Sequence, residues 1–295
     1  MIIPKKAYAK INLYLEILDK LPNGYHNIFT VMQKISLCDD IILNINKNIS
    51  QNININCSDK NIPADKTNTV YKATELFFEY ITGAGFSRPD TGITIEIIKK
   101  IPTQAGLGGG SSDAAAVLLE LNKYFDFILP ERILIEIAAK IGADVPFFVK
   151  NINCAVCEGI GETVMPVDID LTGYFCLIVK PVYNISTKQA YDDWDKFKNA
   201  ERGMQNAELK NKIRNSGFQI KNIRNDFAEL IFSQNNNIYE IKKYLLKSNA
   251  VAAELSGSGS ALFGIFDDLE NARECRDILI QRNDIEFCDI FDFLC

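Results

Sequence analysis

Only one histidine, His26, and one tryptophan occur among the 295 residues of this chain. A metal centre built on imidazoles needs several, so that class of site is excluded. The eight cysteines do not replace them. They are scattered at 38, 57, 154, 157, 176, 275, 288 and 295, and Cys154-Ala-Val-Cys157 is a lone CxxC with no second pair. They read as reduced core thiols of a cytoplasmic protein. Basic charge is also short: 32 Lys and Arg against 38 Asp and Glu leave a net charge of -6, which argues against a nucleic-acid partner. A locally basic site for a small anion stays open. No apolar run approaches the roughly 18 residues that cross a bilayer, and Met1 to Lys6 carries no signal-like apolar stretch, so no membrane partner is expected. Without secretion, the sequons at Asn48 and Asn184 carry no weight.

Two further absences concern the richest stretch of the chain, Pro102-Thr103-Gln104-Ala105-Gly106-Leu107-Gly108-Gly109-Gly110-Ser111-Ser112-Asp113. It has no lysine, so it is not a Walker A loop, and Ser111 stands where a dinucleotide fingerprint starting at Gly106 needs glycine. What it does have is an order. Ile93, Ile95 and Ile97 alternate as in a strand, and Ala115, Val117, Leu118 and Leu121 form a helical stripe behind the glycines. Strand, glycine loop and helix start aim free amides and the positive end of a helix dipole at one point, which suits a phosphate. The missing Cβ atoms let an anion approach the backbone closely.

The remaining chain, 47% hydrophobic and 24% charged, is ordinary globular material too long for one core. The pattern weakens over 152–172, which predicts two domains, 1–158 and 159–295. Strands are predicted over 6–18, 31–36, 40–45 and 53–57, the last paired with 41–46 as a hairpin. Helices are predicted over 68–80, 111–125 and 131–140, and a strand over 145–148. In the second half, strands at 175–179, 250–254, 261–266 and 286–292 alternate with helices at 187–197, 237–247 and 268–281, as in an α/β sandwich. Lys10 and Asn12 share one face of the first strand, either solvated or aimed into a cleft. Tyr25-His26 follows the turn Leu21-Pro22-Asn23-Gly24. Asp144 follows a helix end, either shaping a turn before Pro146 or facing a cleft. A second small-residue loop, Ser256-Gly257-Ser258-Gly259-Ser260, suggests a second anion clamp facing the first across a domain cleft.

These residues resemble the GHMP kinase family. Pro102 to Asp113 is similar to its phosphate-binding motif, Leu255 to Gly264 to its third motif, and Ala9-Lys10-Ile11-Asn12-Leu13 to its first. With Asn23-Gly24-Tyr25-His26 and Gly142-Ala143-Asp144-Val145-Pro146-Phe147-Phe148, the likeness narrows to the branch that acts on a cytidine-diphosphate-bearing polyol. It implies an α+β two-domain fold, with an N-terminal ATP-binding α/β domain, a C-terminal α/β sandwich and the active site in the cleft. It implies ATP with Mg²⁺, and transfer of a phosphoryl group to the 2-hydroxyl of a small-molecule substrate in non-mevalonate isoprenoid synthesis. Lys10 and Asp144 take the places of the catalytic pair. Asn68, Pro102, Thr103, Gln104, Ala105, Gly106, Leu107, Gly108, Gly109, Gly110, Ser111 and Ser112 take those of the ATP site, with Ser111 or Ser112 within reach of a phosphate or Mg²⁺. Asn12, Tyr25, His26, Tyr191, Gly257, Ser258 and Gly259 fall on the substrate side, Tyr25 and Tyr191 closing on the cytosine ring and His26 reading its edge. A monomer or weak homodimer is expected. Two alternatives stay open: a related kinase for homoserine or mevalonate, which has no need of Tyr25-His26, and a nucleotide-binding protein without catalysis, against which Lys10 and Asp144 speak.

Overall fold

The computed structural model describes residues 1–47, 52–85, 90–198 and 207–295; the sequon at Asn48 lies outside the described residues. Two long strands open the chain, β1 (Ile2–Lys20) and β2 (His26–Lys47), antiparallel and joined by the turn at Asn23. The segments 31–36 and 40–45, expected as separate strands, are one. The polar break between them is absorbed by an irregularity, where the register steps from Tyr8 opposite Cys38 to Lys10 opposite Lys34. Asp39, fully buried at that break, accepts the amides of Lys100 at 2.6 Å and Ile101 at 2.9 Å.

The predicted hairpin of 53–57 with 41–46 is not formed. Strand β3 (Ile53–Cys57) leads through helix α1 (Thr69–Gly83) to β4 (Thr91–Ile98), and β4 inserts between β2 and β3. It pairs antiparallel with β2 and parallel with β3. Burial explains the choice. Ile93, Ile95 and Ile97 need an interior position, whereas Asn54 and Asn56 leave β3 fit only for an edge. A parallel pair needs a crossover, which α1 supplies.

Helix α2 (Gly109–Tyr124) follows the glycine loop and begins two residues earlier than its apolar stripe suggests. Next come α3 (Glu131–Ile141) and α4 (Val145–Val149). The latter replaces the strand predicted over 145–148. A short, wholly buried apolar run has no readable period, and Pro146 suits a first helical turn. The hairpin β5 (Cys154–Gly159) and β6 (Thr163–Pro166) then joins β2, so the first sheet continues past residue 158.

The second half builds an antiparallel sheet of β7 (Phe175–Pro181), β9 (Ala252–Leu255), β10 (Leu262–Phe266) and β11 (Ile285–Asp292), in the order β11-β7-β10-β9. Helices α5 (Thr187–Lys198), α6 (Ala207–Arg214), α7 (Phe227–Gln234), α8 (Asn236–Lys247) and α9 (Leu269–Leu279) accompany it. A two-residue strand, β8 (Arg224–Asn225), returns to pair with β1.

Three apolar layers hold these parts together. Ile41, Leu43 and Ile95 meet Val70, Phe77, Val117 and Phe147 of the N-terminal helices. Ile11, Leu13 and Phe29 meet Ile178, Phe263 and Ile265 between the two sheets. Leu177 and Leu262 meet Phe227, Ile241 and Leu279 on the outer face of the second sheet. Strand β1 is therefore covered on both faces, and burial runs unbroken from Ala9 to Ile17. Lys10 and Asn12, 3% and 1% exposed, face a covered site, not open solvent.

Candidate active site

A buried ammonium must be paired or it is expelled. Lys10 has three N–H donors and three acceptors around it: Asn12 Oδ1 at 2.7 Å, the Gly106 carbonyl at 2.9 Å and Asp144 Oδ2 at 3.4 Å. The amide nitrogen of Asn12 donates to Thr30 Oγ1 at 2.7 Å, and that hydroxyl donates to the Tyr14 carbonyl at 2.6 Å. Asn12 is thereby turned with its oxygen toward the lysine. Asp144 precedes α4 at its N-cap, yet its carboxylate makes no capping bond. It stays 28% exposed with Lys10 as its ion-pair partner, available to a ligand.

The glycine loop carries the other side of Lys10. Gln104, Gly106 and Gly108 all have positive φ, and Gly108 is the N-cap of α2. The first helical bond runs from Ser112 N to the Gly108 carbonyl at 2.9 Å, so the amides of Gly109, Gly110 and Ser111 precede it. The second small-residue loop does not stand across the cleft as a separate clamp. It touches the glycine loop directly: Ser256 Oγ donates to the Gly106 carbonyl at 3.0 Å, and Ala261 N to the Ala105 carbonyl at 3.3 Å. A Cβ on Gly106 would lie 2.0 Å from the Ser256 carbonyl oxygen, so only glycine permits this contact. Asn225 secures the second loop from behind, donating to the Leu255 and Gly257 carbonyls at 2.8 and 2.7 Å.

One cleft of about 1100 Å³ is lined by Lys10, Asn12, Tyr25, His26, Asn68, Pro102 through Gly110, Asp144, Tyr191, Gly257 and Ser258. Ser111, Ser112 and Gly259 are not among its lining residues, and Ser112 is 3% exposed. Asn68 lines the cleft with its side chain already occupied. Its oxygen caps Val70 N at 2.9 Å, and its amide nitrogen donates to the Pro63 carbonyl at 2.7 Å. Tyr25 is 59% exposed at the rim. Tyr191 does not pair with Tyr25; it stacks on His26, with ring centroids 5.0 Å apart and planes 14° apart.

Two charged groups of the site had no sequence signal of their own. Asp195, on α5, accepts from His26 Nε2 at 2.7 Å and also pairs with Lys20. Its position on the same helix face as Tyr191 is visible only once α5 is placed against the turn at Asn23. Lys99, just before the glycine loop, lies between the buried carboxylates of Asp39 and Asp113, 2.9 Å from the latter. Burial pushes the Asp113 carboxyl up to about 8; the Lys99 charge opposes this and the Asp39 charge adds to it. Cys154 and Cys157 have no part in the site. Both are buried and free, and burial pushes the Cys154 thiol up to about 12 and that of Cys157 higher still.

The chain is similar to known proteins over most of its length. The GHMP kinase N-terminal domain model matches residues 68–151, and the GHMP kinase C-terminal model residues 200–285. A 4-diphosphocytidyl-2-C-methyl-D-erythritol kinase of Clostridium novyi is 38% identical over 92% of this chain and 93% of its own. That of Thermoanaerobacter pseudethanolicus is 38% identical over 94% of this chain and 92% of its own. A crystal structure of 4-(cytidine 5'-diphospho)-2C-methyl-D-erythritol kinase superposes with a TM-score of 0.75 at 26% identity, covering 98% of this chain and 99% of that one. Homoserine kinase from Cytophaga hutchinsonii, at a TM-score of 0.69 and 16% identity, shares the fold.

Proposed function

From the membership of this chain in the GHMP kinase family, we propose that it transfers the γ-phosphoryl group of ATP to the 2-hydroxyl of 4-diphosphocytidyl-2-C-methyl-D-erythritol. It is a phosphotransferase with an alcohol acceptor, as are the relatives it matches over nearly their whole length. The glycine loop fits a triphosphate: positive φ at Gly106 and Gly108 shapes a tight turn, and the amides of Gly109, Gly110 and Ser111 precede the first helical bond of α2. Beside it, the oxygens of the Asp144 carboxylate and of the lining hydroxyls would suit an Mg²⁺ held mainly through phosphate oxygens. ATP would supply the phosphoryl group, and Mg²⁺ bound with it would offset its charge.

The residues of the chain perform the rest. Asp144 accepts the proton of the attacking hydroxyl. Lys10, 3.4 Å away, offsets the negative charge that spreads over the transferring group. Asn12 and the Gly106 carbonyl fix the ammonium between the loop and the carboxylate, so little reorganisation is needed as charge moves. Tyr25 and His26 hold the cytosine end. The observation that carries this reading is the lysine bridging the glycine loop and the partly exposed Asp144 carboxylate in the cleft that also holds the sole histidine.

The test is ADP release with ATP, Mg²⁺ and a panel of acceptors: the cytidyl-linked polyol, homoserine and mevalonate. Turnover on the first alone is expected. Folded protein that releases no more ADP with it than without acceptor would refute the assignment, and turnover on homoserine or mevalonate would move it to that branch.

A further inference from the structure

The only imidazole of the chain is gripped by the other half of the molecule. His26 starts β2 with its side chain 2% exposed, stacked on Tyr191 and edge-on to Trp194 at 5.8 Å. Tyr191, Trp194 and Asp195 share one face of α5, spaced by three and one residues. One oxygen of Asp195 meets His26 Nε2 at 2.7 Å, and the other is held by Lys20 at the end of β1. Among the described residues no hydrogen bond engages His26 Nδ1, and the residue lines the cleft.

A carboxylate held by a lysine is an acceptor only, so Nε2 must be the donor. We propose that Asp195 is a positioning residue for the proposed reaction: it locks His26 in the Nε2–H tautomer, leaving Nδ1 as a bare acceptor that selects cytosine over uracil. The logic of selection is short. Cytosine has a single donor on its pairing edge, the exocyclic amine at C4, so an acceptor Nδ1 can meet only that group. Uracil has a carbonyl there, which would face the lone pair of Nδ1, and its one donor, N3–H, lies one ring position away, so it reaches Nδ1 only if the base shifts along its edge. The stacked Tyr191 and edge-on Trp194 restrict the ring from turning to present another atom. This inference rests on the cytidyl-substrate reading for its base, but the tautomer itself does not.

The Lys20 contact makes the consequence of substitution specific. In Asp195→Asn only one oxygen remains, and Lys20, a pure donor, claims it. The amide NH₂ then faces His26 Nε2 and forces the proton onto Nδ1, which becomes a donor. The test uses the full-length protein labelled with ¹⁵N-histidine, whose one imidazole gives one pair of nitrogen signals. Wild type is expected to show a protonated Nε2 and a bare Nδ1, and Asp195→Asn the reverse. Titration with CDP and UDP follows on both proteins. Wild type should prefer CDP about tenfold or more, and the variant should lose or invert that preference. A wild-type proton on Nδ1, or a tautomer unchanged in Asp195→Asn, overturns the proposal; wild type binding CDP no better than UDP overturns its base-reading half. Failure to phosphorylate the cytidyl-linked polyol, with the tautomer result intact, would count against the proposed substrate alone.

Discussion

Replacing Gly106 with alanine attacks the site through its backbone. The added Cβ would lie 2.0 Å from the Ser256 carbonyl oxygen, 2.9 Å from its carbon and 3.3 Å from Gly259 N. These are backbone atoms, which cannot swing aside as a side chain would. The residue also sits at φ +74, where a Cβ costs about 1–2 kcal/mol. Relieving the overlap by moving one loop adds the usual 1–3 kcal/mol or so of overpacking. The loss is therefore about 2–5 kcal/mol, a large share of the roughly 5–15 kcal/mol that holds a domain folded. The Gly106 carbonyl, which receives Lys10 and Ser256, moves with the loop, so turnover falls too. Gly110→Ala is the internal comparison. Its nearest neighbour would be Thr69 Oγ1 at an ordinary 3.5 Å, and in the first turn of α2 alanine should be neutral or favourable by up to about 1 kcal/mol. Denaturant unfolding of both variants, with ADP release alongside, separates the cases. If Gly106→Ala is as stable as wild type, or both variants lose equally, the loop-on-loop account is wrong.

Three more outcomes follow from the same geometry. Asp144→Asn should cut kcat about a hundredfold or more while ATP affinity and folding hold, because Lys10 keeps Asn12 and Gly106; unchanged kcat in steady-state assays would remove Asp144 as proton acceptor. Tyr25→Ala should raise KM for the cytidyl acceptor by about tenfold or more and leave KM for ATP alone, whereas unchanged acceptor KM would favour a non-nucleotide substrate. The third concerns pH. Burial pushes Asp113 up to about 8, so the folded protein holds a proton there that the unfolded chain, titrating at about 4, has released. Stability should therefore fall as pH rises between those values, and Asp113→Asn, which carries no proton to lose, should flatten the fall in unfolding midpoints; an equal slope in both proteins would contradict the buried-proton account.

Much of the site was legible because its chemistry is local. Pro102 to Ser112 announces a strand, a tight loop and a helix start within one stretch, and the free amides follow from that order. Lys10 and Asn12 alternate with Ala9, Ile11 and Leu13, which puts them on one face, though not which face is covered. Asp144 stands beside a helix end, where a turn and a cleft are both open to it, and the element after it is a helix, not the predicted strand: five buried apolar residues look alike as either. The missed groups have a common cause. Asp195 lies 169 residues from His26, and Asp39 lies 60 from Lys99, and no periodicity links such positions.

The sequence by itself determined the order of strand, glycine loop and helix start and the alternation of strands and helices, since each depends on residues within a turn or two of one another. Lys10 and Asp144 are singled out by the resemblance to the family, their spacing alone leaving a solvated face and a turn open. Tertiary structure alone decided which strand took the interior of the first sheet, that the two small-residue loops touch at Gly106, and which carboxylate holds the histidine. The reason lies in what each choice minimises. Local structure follows backbone preference and periodicity along the chain. Strand order, loop contact and the pairing of buried charges follow from covering apolar faces and leaving no ion unpaired across the whole molecule.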